Sequence, residues 1–155
     1  MCSGIKILQG ILLSLLFLCL VDCRLEAKQI AVIVNNSNAV QEINSADITK
    51  IFKCGTRKWA DGTPITLVVR DPSSPEMELL LSRIYKISPE EMKSFIINHR
   101  EAIMIVDSNA AMLTAVRNTP GAIGLIDVFS ITQEVKVLKI DGKLPVEYGY
   151  ILRGN

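Results

Sequence analysis

The sequence predicts an α/β domain in which a mixed sheet is flanked by helices. Residues 30–34 form a continuous apolar, mostly β-branched run, as is typical of a strand buried on both faces. Amphipathic helical segments alternate with further apolar strands, which indicates a layered α/β fold. We expect mainly parallel pairing among the early strands and antiparallel strands at the end. No internal repeat or linker interrupts the pattern, so residues 28–155 are predicted to form one compact domain.

The first 27 residues are predicted to be a secretory signal peptide. Lys6 precedes an apolar run from Ile7 to Val21. The run is followed by polar residues and is shorter than the roughly 20 residues of a membrane span. The favoured cleavage site follows Ala27. We therefore expect a periplasmic or secreted protein.

The cysteines bear on both membrane anchoring and disulfides. A lipid anchor would use Cys23, but Asp22 stands where such signals carry a small residue, so a lipoprotein is the less favoured alternative. Cleavage of the signal also removes Cys2 and Cys19, which leaves Cys54 alone. A mature domain with one cysteine has no internal disulfide and depends on packing. We interpret Cys54 as a small buried apolar residue.

The predicted elements of the first half follow from caps and apolar spacing. Residues 45–47 are predicted to start a helix that ends at Gly55, with Ile48, Ile51 and Phe52 on its buried face. A turn at 61–64 precedes a strand over residues 65–69. Two helices then follow directly. The apolar stripe of the first contains Met77, Leu80, Leu81, Ile84 and Tyr85.

The second of these helices has a strong start signal. Ser88 is the expected cap, Pro89 occupies the first helical position, and Glu91 completes a capping box. A short strand over 103–106 and a helix capped by Asp107 or Ser108 come next. Later strands are predicted over residues 122–126, 135–140 and 148–152, with a turn at Asp141-Gly142 between the last two.

Charge and motif content exclude several classes of function. The net charge is +1, whereas nucleic-acid binding needs a clustered basic face. His99 is the only histidine, and no metal-ligand spacing or paired nucleophile and base appears. The sequence therefore predicts a non-catalytic protein with no cofactor, no metal and no nucleic-acid partner.

A series of short motifs between residues 30 and 152 resembles the solute-binding proteins of phosphate ABC transporters. The motifs are the opening strand, Ile48-Thr49-Lys50-Ile51-Phe52, Lys58-Trp59, Asp61-Gly62, Val69-Arg70 with its serines, and Pro120-Gly121-Ala122-Ile123-Gly124. The resemblance implies a type 2 periplasmic-binding-protein fold, in which two α/β lobes clamp an oxyanion. The chain has length for a single lobe. The bulk-free glycines 121 and 124 are interpreted as positions of close backbone packing.

The resemblance also implies an anion site at Arg70, Ser73 and Ser74. The family loop has an arginine, three residues, then serine, glycine and threonine. Arg70 and Ser74 match it, whereas Pro75 replaces the glycine and Glu76 the threonine. Proline lacks an N–H and glutamate adds negative charge, so we expect only weak binding of phosphate or a similar oxyanion.

The same residues also have purely structural interpretations. Ser74 is favoured as an ordinary helix cap over a ligand contact. Arg70 fits an ion pair with Asp71 or Glu76 as well as it fits an anion. For Trp59, core packing or loop anchoring is favoured over a stacking platform.

Two hypotheses of function remain. The first is a secreted, single-lobe binding module linked to phosphate transport. The alternative is a structural or protein-interaction component of an envelope assembly that has lost ligand binding. A homodimer could also place two lobes face to face.

Overall fold

The computed structural model describes residues 28–154, and the predicted signal peptide lies outside these residues. Seven strands are present in this part of the chain: β1 (Ile30–Asn35), β2 (Glu42–Ile43), β3 (Thr66–Arg70), β4 (Ile103–Val106), β5 (Ala122–Asp127), β6 (Val135–Val137) and β7 (Lys139–Ile140). Five of them form the central sheet in the order β4-β3-β5-β1-β6, and β2 pairs with β7 in a small second sheet.

Strand β1 is the buried central strand that the sequence predicts. All six of its residues are buried. Val32 packs into one hydrophobic cluster and Ile33 into the other, so both faces of the strand are covered. The predicted parallel pairing is right for β3, which is parallel to β4 and β5. It is wrong for β1, which is antiparallel to both β5 and β6.

Helices cover both faces of the sheet, as predicted. They are α1 (Ser45–Phe52), α2 (Pro75–Leu80), α3 (Pro89–Asn98) and α4 (Asn109–Asn118), and α2 continues into a π-helical turn over Leu81–Tyr85. The buried residues of the first three pack into the larger cluster on one face. Met112 and Val116 of α4 pack into the smaller cluster on the other face. No helix within residues 28–154 combines the length and apolar character needed to cross a bilayer.

Most helix boundaries agree with the sequence signals. The capping box of α3 is confirmed, because the Ser88 hydroxyl accepts from the Glu91 amide and the Ser88 amide donates to the Glu91 carboxylate. Ser108, rather than Asp107, caps α4. The predicted end of α1 at Gly55 is wrong. The helix ends at Phe52, and Cys54 rather than Gly55 adopts the left-handed conformation after it, with φ of 57°.

The C-terminal strands differ from the prediction. The predicted strand 135–140 is divided, because Leu138 is buried in the core and its neighbours pair with different partners, β1 and β2. Residues 148–152 form turns instead of a strand. Beside them, the Ile30 amide donates to the Leu152 carbonyl, and an isolated bridge joins Gln29 to Arg153. The predicted turn at Asp141-Gly142 is confirmed, with positive φ at both residues.

The loop before β3 is attached to the start of β5 by a close backbone contact. Gly121 has φ of +77°, and a Cβ atom there would lie 2.2 Å from the Pro64 carbonyl oxygen. The Trp59 indole N–H donates to the Gly121 carbonyl at 2.9 Å. These contacts confirm that Gly121 is a position of close packing and that Trp59 anchors its loop.

We expect Gly121→Ala to destabilise the fold more than Gly62→Ala. Gly62 has φ of +87° with nothing within 4 Å of an added Cβ, so it reports the conformational cost alone. That cost is about 1–2 kcal/mol. Gly121→Ala adds a steric overlap that should cost a further ~1–3 kcal/mol. Urea denaturation of both variants measures the difference, and equal losses would contradict the close contact.

Candidate functional site

The loops that carry the predicted anion residues lie at one edge of the sheet. Strands β3, β4 and β5 are parallel, so their carboxyl ends meet there. Arg70 is the last residue of β3, the β4–α4 connection contributes Asp107, and Ser130 follows β5. In open α/β sheets this edge is the usual place for ligands.

A hydrogen-bond network joins the three loops. The Arg70 guanidinium donates from Nη1 to Asn109 Oδ1 at 2.9 Å and from Nη2 to the Asp107 carbonyl at 2.8 Å. Asn109 Nδ2 donates in turn to Ser130 Oγ at 2.8 Å. Arg70 is therefore held by an amide and a carbonyl, and not by the carboxylate of Asp71 or Glu76. Since a guanidinium has five N–H donors, three of those on Arg70 have no acceptor within residues 28–154.

Ser73 is turned towards a carboxylate of its own loop. Its backbone amide donates to Asp71 Oδ1 at 2.9 Å, and its hydroxyl donates to the same oxygen. These bonds hold the pKa of the Asp71 carboxyl below its usual value, the hydroxyl being the larger cause and the amide the next. Asp71 thus occupies the donors that Ser73 would offer to an oxyanion.

Ser74 is the N-cap of α2, which confirms the favoured interpretation. Its hydroxyl accepts a long bond of 3.4 Å from the Met77 amide, and Pro75 occupies the first helical turn without an N–H. The Glu76 carboxylate lies in the same turn, and its Oε2 is buried without a hydrogen-bond partner in the described part of the chain. This end of α2 therefore presents a negative group and one amide fewer than the family pattern.

The histidine, the cysteine and two tyrosines of the described residues are held by packing and hydrogen bonds typical of structural side chains. His99 Nδ1 donates to the Phe95 carbonyl at 2.9 Å, and the imidazole stacks on the Phe95 ring. Burial raises the pKa of the Cys54 thiol and of the Tyr85 and Tyr150 hydroxyls, which keeps all three protonated at neutral pH. No cluster of three metal-ligating side chains occurs in residues 28–154.

Sequence reasoning missed Asn109 and Ser130. Neither belongs to a recognisable motif. Asn109 bonds to Arg70 and Ser130 bonds to Asn109, and both bonds join residues that are distant in sequence. The available signal was topological, because both follow strands that are parallel to β3. The carboxyl ends of such strands converge, which predicts polar side chains beside Arg70.

Comparisons with known proteins agree with this architecture. A family model described as a PBP superfamily domain matches residues 27–151. The chain belongs to the PBP superfamily. A comparison with curated protein sequences finds no match.

Solved structures share the superfamily fold at low sequence identity. An ABC-type phosphate transport receptor from Vibrio cholerae superposes with a TM-score of 0.70 at 21% identity, over 83% of this chain and 55% of that one. A phosphate-bound, putative phosphate ABC transporter substrate-binding protein from Clostridium perfringens gives 0.66 at 21% identity, over 77% and 48%. PstS from Borrelia burgdorferi gives 0.66 at 18% identity, over 84% and 56%.

These matches establish the fold and its extent. The chain spans about half the length of each of these three proteins. It is a shorter unit of the periplasmic-binding-protein fold, built on a mixed five-stranded sheet flanked by helices, as the sequence predicts.

The bonds between Ser73 and Asp71 predict a specific titration behaviour. A depressed pKa means that ionised Asp71 stabilises the folded loop above its unfolded pKa, and that this contribution is lost as pH falls through the folded value. Ser73→Ala removes the larger cause, so the Asp71 pKa should rise. Ser74→Ala is the control, since that hydroxyl caps α2 instead. Carboxyl-detected NMR titration measures both, and an unchanged Asp71 pKa in Ser73→Ala would contradict the geometry.

Proposed function

We propose that the chain is an exported, non-catalytic binding lobe of the PBP superfamily, with a weak oxyanion contact centred on Arg70. The observation that carries the proposal is the fixed guanidinium at the ligand edge of the sheet. Two acceptors orient it and three N–H donors remain. A guanidinium is well suited to phosphate oxygens, and two of the similar structures are described as phosphate-binding or phosphate-transport proteins.

Export is part of the proposal. Residues 1–27 are the signal peptide and residues 28–155 the mature domain, which acts in the periplasm or outside the cell. The family match to residues 27–151 supports this division, because it begins where the proposed signal ends.

The weakness of the site follows from how its other donors are used. The Ser73 amide and hydroxyl bond to Asp71, and the Ser74 hydroxyl caps α2. Glu76 places a carboxylate in the first turn of α2. Because Arg70 is the one residue of the three predicted ones that keeps free donors, a dissociation constant in the high-micromolar to millimolar range is expected, on the order of −4 to −5 kcal/mol.

Isothermal titration with phosphate and sulfate tests this site. The wild type should bind in about the millimolar range, and Arg70→Ala should lose roughly tenfold or more. Arg117→Ala is the matched control, because Arg117 is an exposed arginine already paired with Glu134. Glu76→Thr removes the opposing charge and should strengthen binding several-fold. Submicromolar binding by the wild type, or equal binding by Arg70→Ala, would contradict the proposal.

A second candidate function is supported by the free edge of the sheet. Strand β4 is the outermost strand beside β3. Met104 on one face and Ile105 on the other are 39% and 53% exposed. An uncharged, exposed edge strand is a template for pairing with another chain. This observation favours a protein-interaction role, with an envelope protein or a second copy as the partner.

Lysine substitution distinguishes pairing at the edge strand β4 from non-specific hydrophobic association. Ile105→Lys should abolish concentration-dependent association of the purified protein, measured by light scattering after size exclusion, because a charge on an edge strand opposes pairing. Ile97→Lys is the control, since Ile97 is 69% exposed but lies on α3. Two results together would exclude β4 as the contact. The wild type would remain monomeric, and the wild type and Ile105→Lys would pull down the same envelope proteins.

A further inference from the structure

A pocket of about 490 Å³ lies between the π-helical turn after α2 and the C-terminal segment of the chain. Arg83 lines it from the turn, and Tyr148, Gly149, Tyr150 and Arg153 line it from the C-terminal segment. Its volume falls in the range of small-molecule sites. Arg70, Ser73 and Ser74 are not among the lining residues, so this pocket is separate from the site above.

The pocket carries positive charge that the described residues do not neutralise. The ion pairs within residues 28–154 are Lys50–Asp47, Arg57–Glu101 and Arg117–Glu134. Neither Arg83 nor Arg153 takes part in one. A third cation, Lys143, donates from Nζ to the Gly149 carbonyl at the rim, at 3.4 Å.

The acidic residue Glu147 directly precedes Tyr148 in the sequence. Glu147 accepts a hydrogen bond from the Leu144 amide, which engages one of its carboxylate oxygens within the adjoining turn. Two guanidinium groups line this surface and no acidic side chain is among the lining residues, which favours the approach of an anion.

The same pocket offers a flat apolar surface. Tyr148 is 93% exposed, so its ring is free on the surface, whereas Tyr150 is 4% exposed and belongs to the packed wall. Gly149 separates them with φ of +79°, in the left-handed region that favours glycine. An aromatic ring beside arginine side chains suits a ligand with a planar apolar part next to its charge.

We propose that this pocket binds a small organic anion, with its phosphate or carboxylate group held by Arg83 and Arg153 and its planar apolar part against Tyr148. The ligand class differs from the bare oxyanion proposed at Arg70, because the ring of Tyr148 adds contact area that inorganic phosphate cannot use. The inference does not rest on that proposed site, and either can fail without the other.

NMR titration of the full chain with phenyl phosphate tests the proposal on the wild-type protein. The backbone amides of Gly149 and Gly154 line the pocket and serve as reporters. Saturable shifts at both, with a dissociation constant in about the millimolar range or tighter, are expected. Inorganic phosphate should shift them less. The absence of saturable shifts, or shifts confined to Ser73 and Asn109, would overturn the proposal.

Neutral variants then assign the contacts. Arg83→Gln and Arg153→Gln should each weaken phenyl phosphate binding roughly tenfold, and Tyr148→Ala should remove the preference over inorganic phosphate. Arg100→Gln deletes the same charge from an exposed residue outside the pocket and should have no effect. Arg70→Ala should also leave this binding unchanged. Equal losses in Arg100→Gln and the pocket variants would show general charge attraction and reject the site.

Discussion

Burial of β1 on both faces is the constraint on which the rest of the domain depends. Residues 30–34 pair with β5 and residues 33–35 pair with β6, and side chains of β1 contribute to both hydrophobic clusters. Through β5 it fixes the three parallel strands whose carboxyl ends carry the candidate site. The buried Asn35 side chain at its end donates to the Val116 and Arg117 carbonyls, which satisfies the last turn of α4. One strand thus positions both layers and the site.

At the carboxyl ends of these strands, hydrogen bonds within the chain decide which donors of the loops are free to bind a ligand. Asp71 occupies the Ser73 donors, α2 occupies Ser74, and the Arg70 fork is oriented by Asn109 and the Asp107 carbonyl. The result is a rigid cationic group beside an already satisfied loop. Under the proposed function, this arrangement predicts weak oxyanion binding, because the Ser73 and Ser74 groups are already engaged within the chain.

The sequence predicted the features that depend on local chemistry and apolar spacing. The capping box at Ser88, the cap at Ser74, the turn at Asp141 and the close packing of Gly121 all follow from residue type at a defined position. The direction of β1, the division of strand 135–140 and the partners of Arg70 did not follow. These three features are set by contacts between residues that are distant in sequence. Apolar periodicity does not indicate such contacts, because a buried strand has the same pattern whether its neighbours are parallel or antiparallel.

The central claim is that the donors of the β3–α2 loop are satisfied within the chain. A crystal structure of the protein grown in concentrated phosphate tests it most directly. We predict that the Asp71 carboxylate remains on the Ser73 amide and hydroxyl, and that Arg70 remains on Asn109, with any anion contacting the guanidinium alone. A phosphate ion enclosed by Arg70, Ser73 and Ser74, with Asp71 turned away, would contradict it.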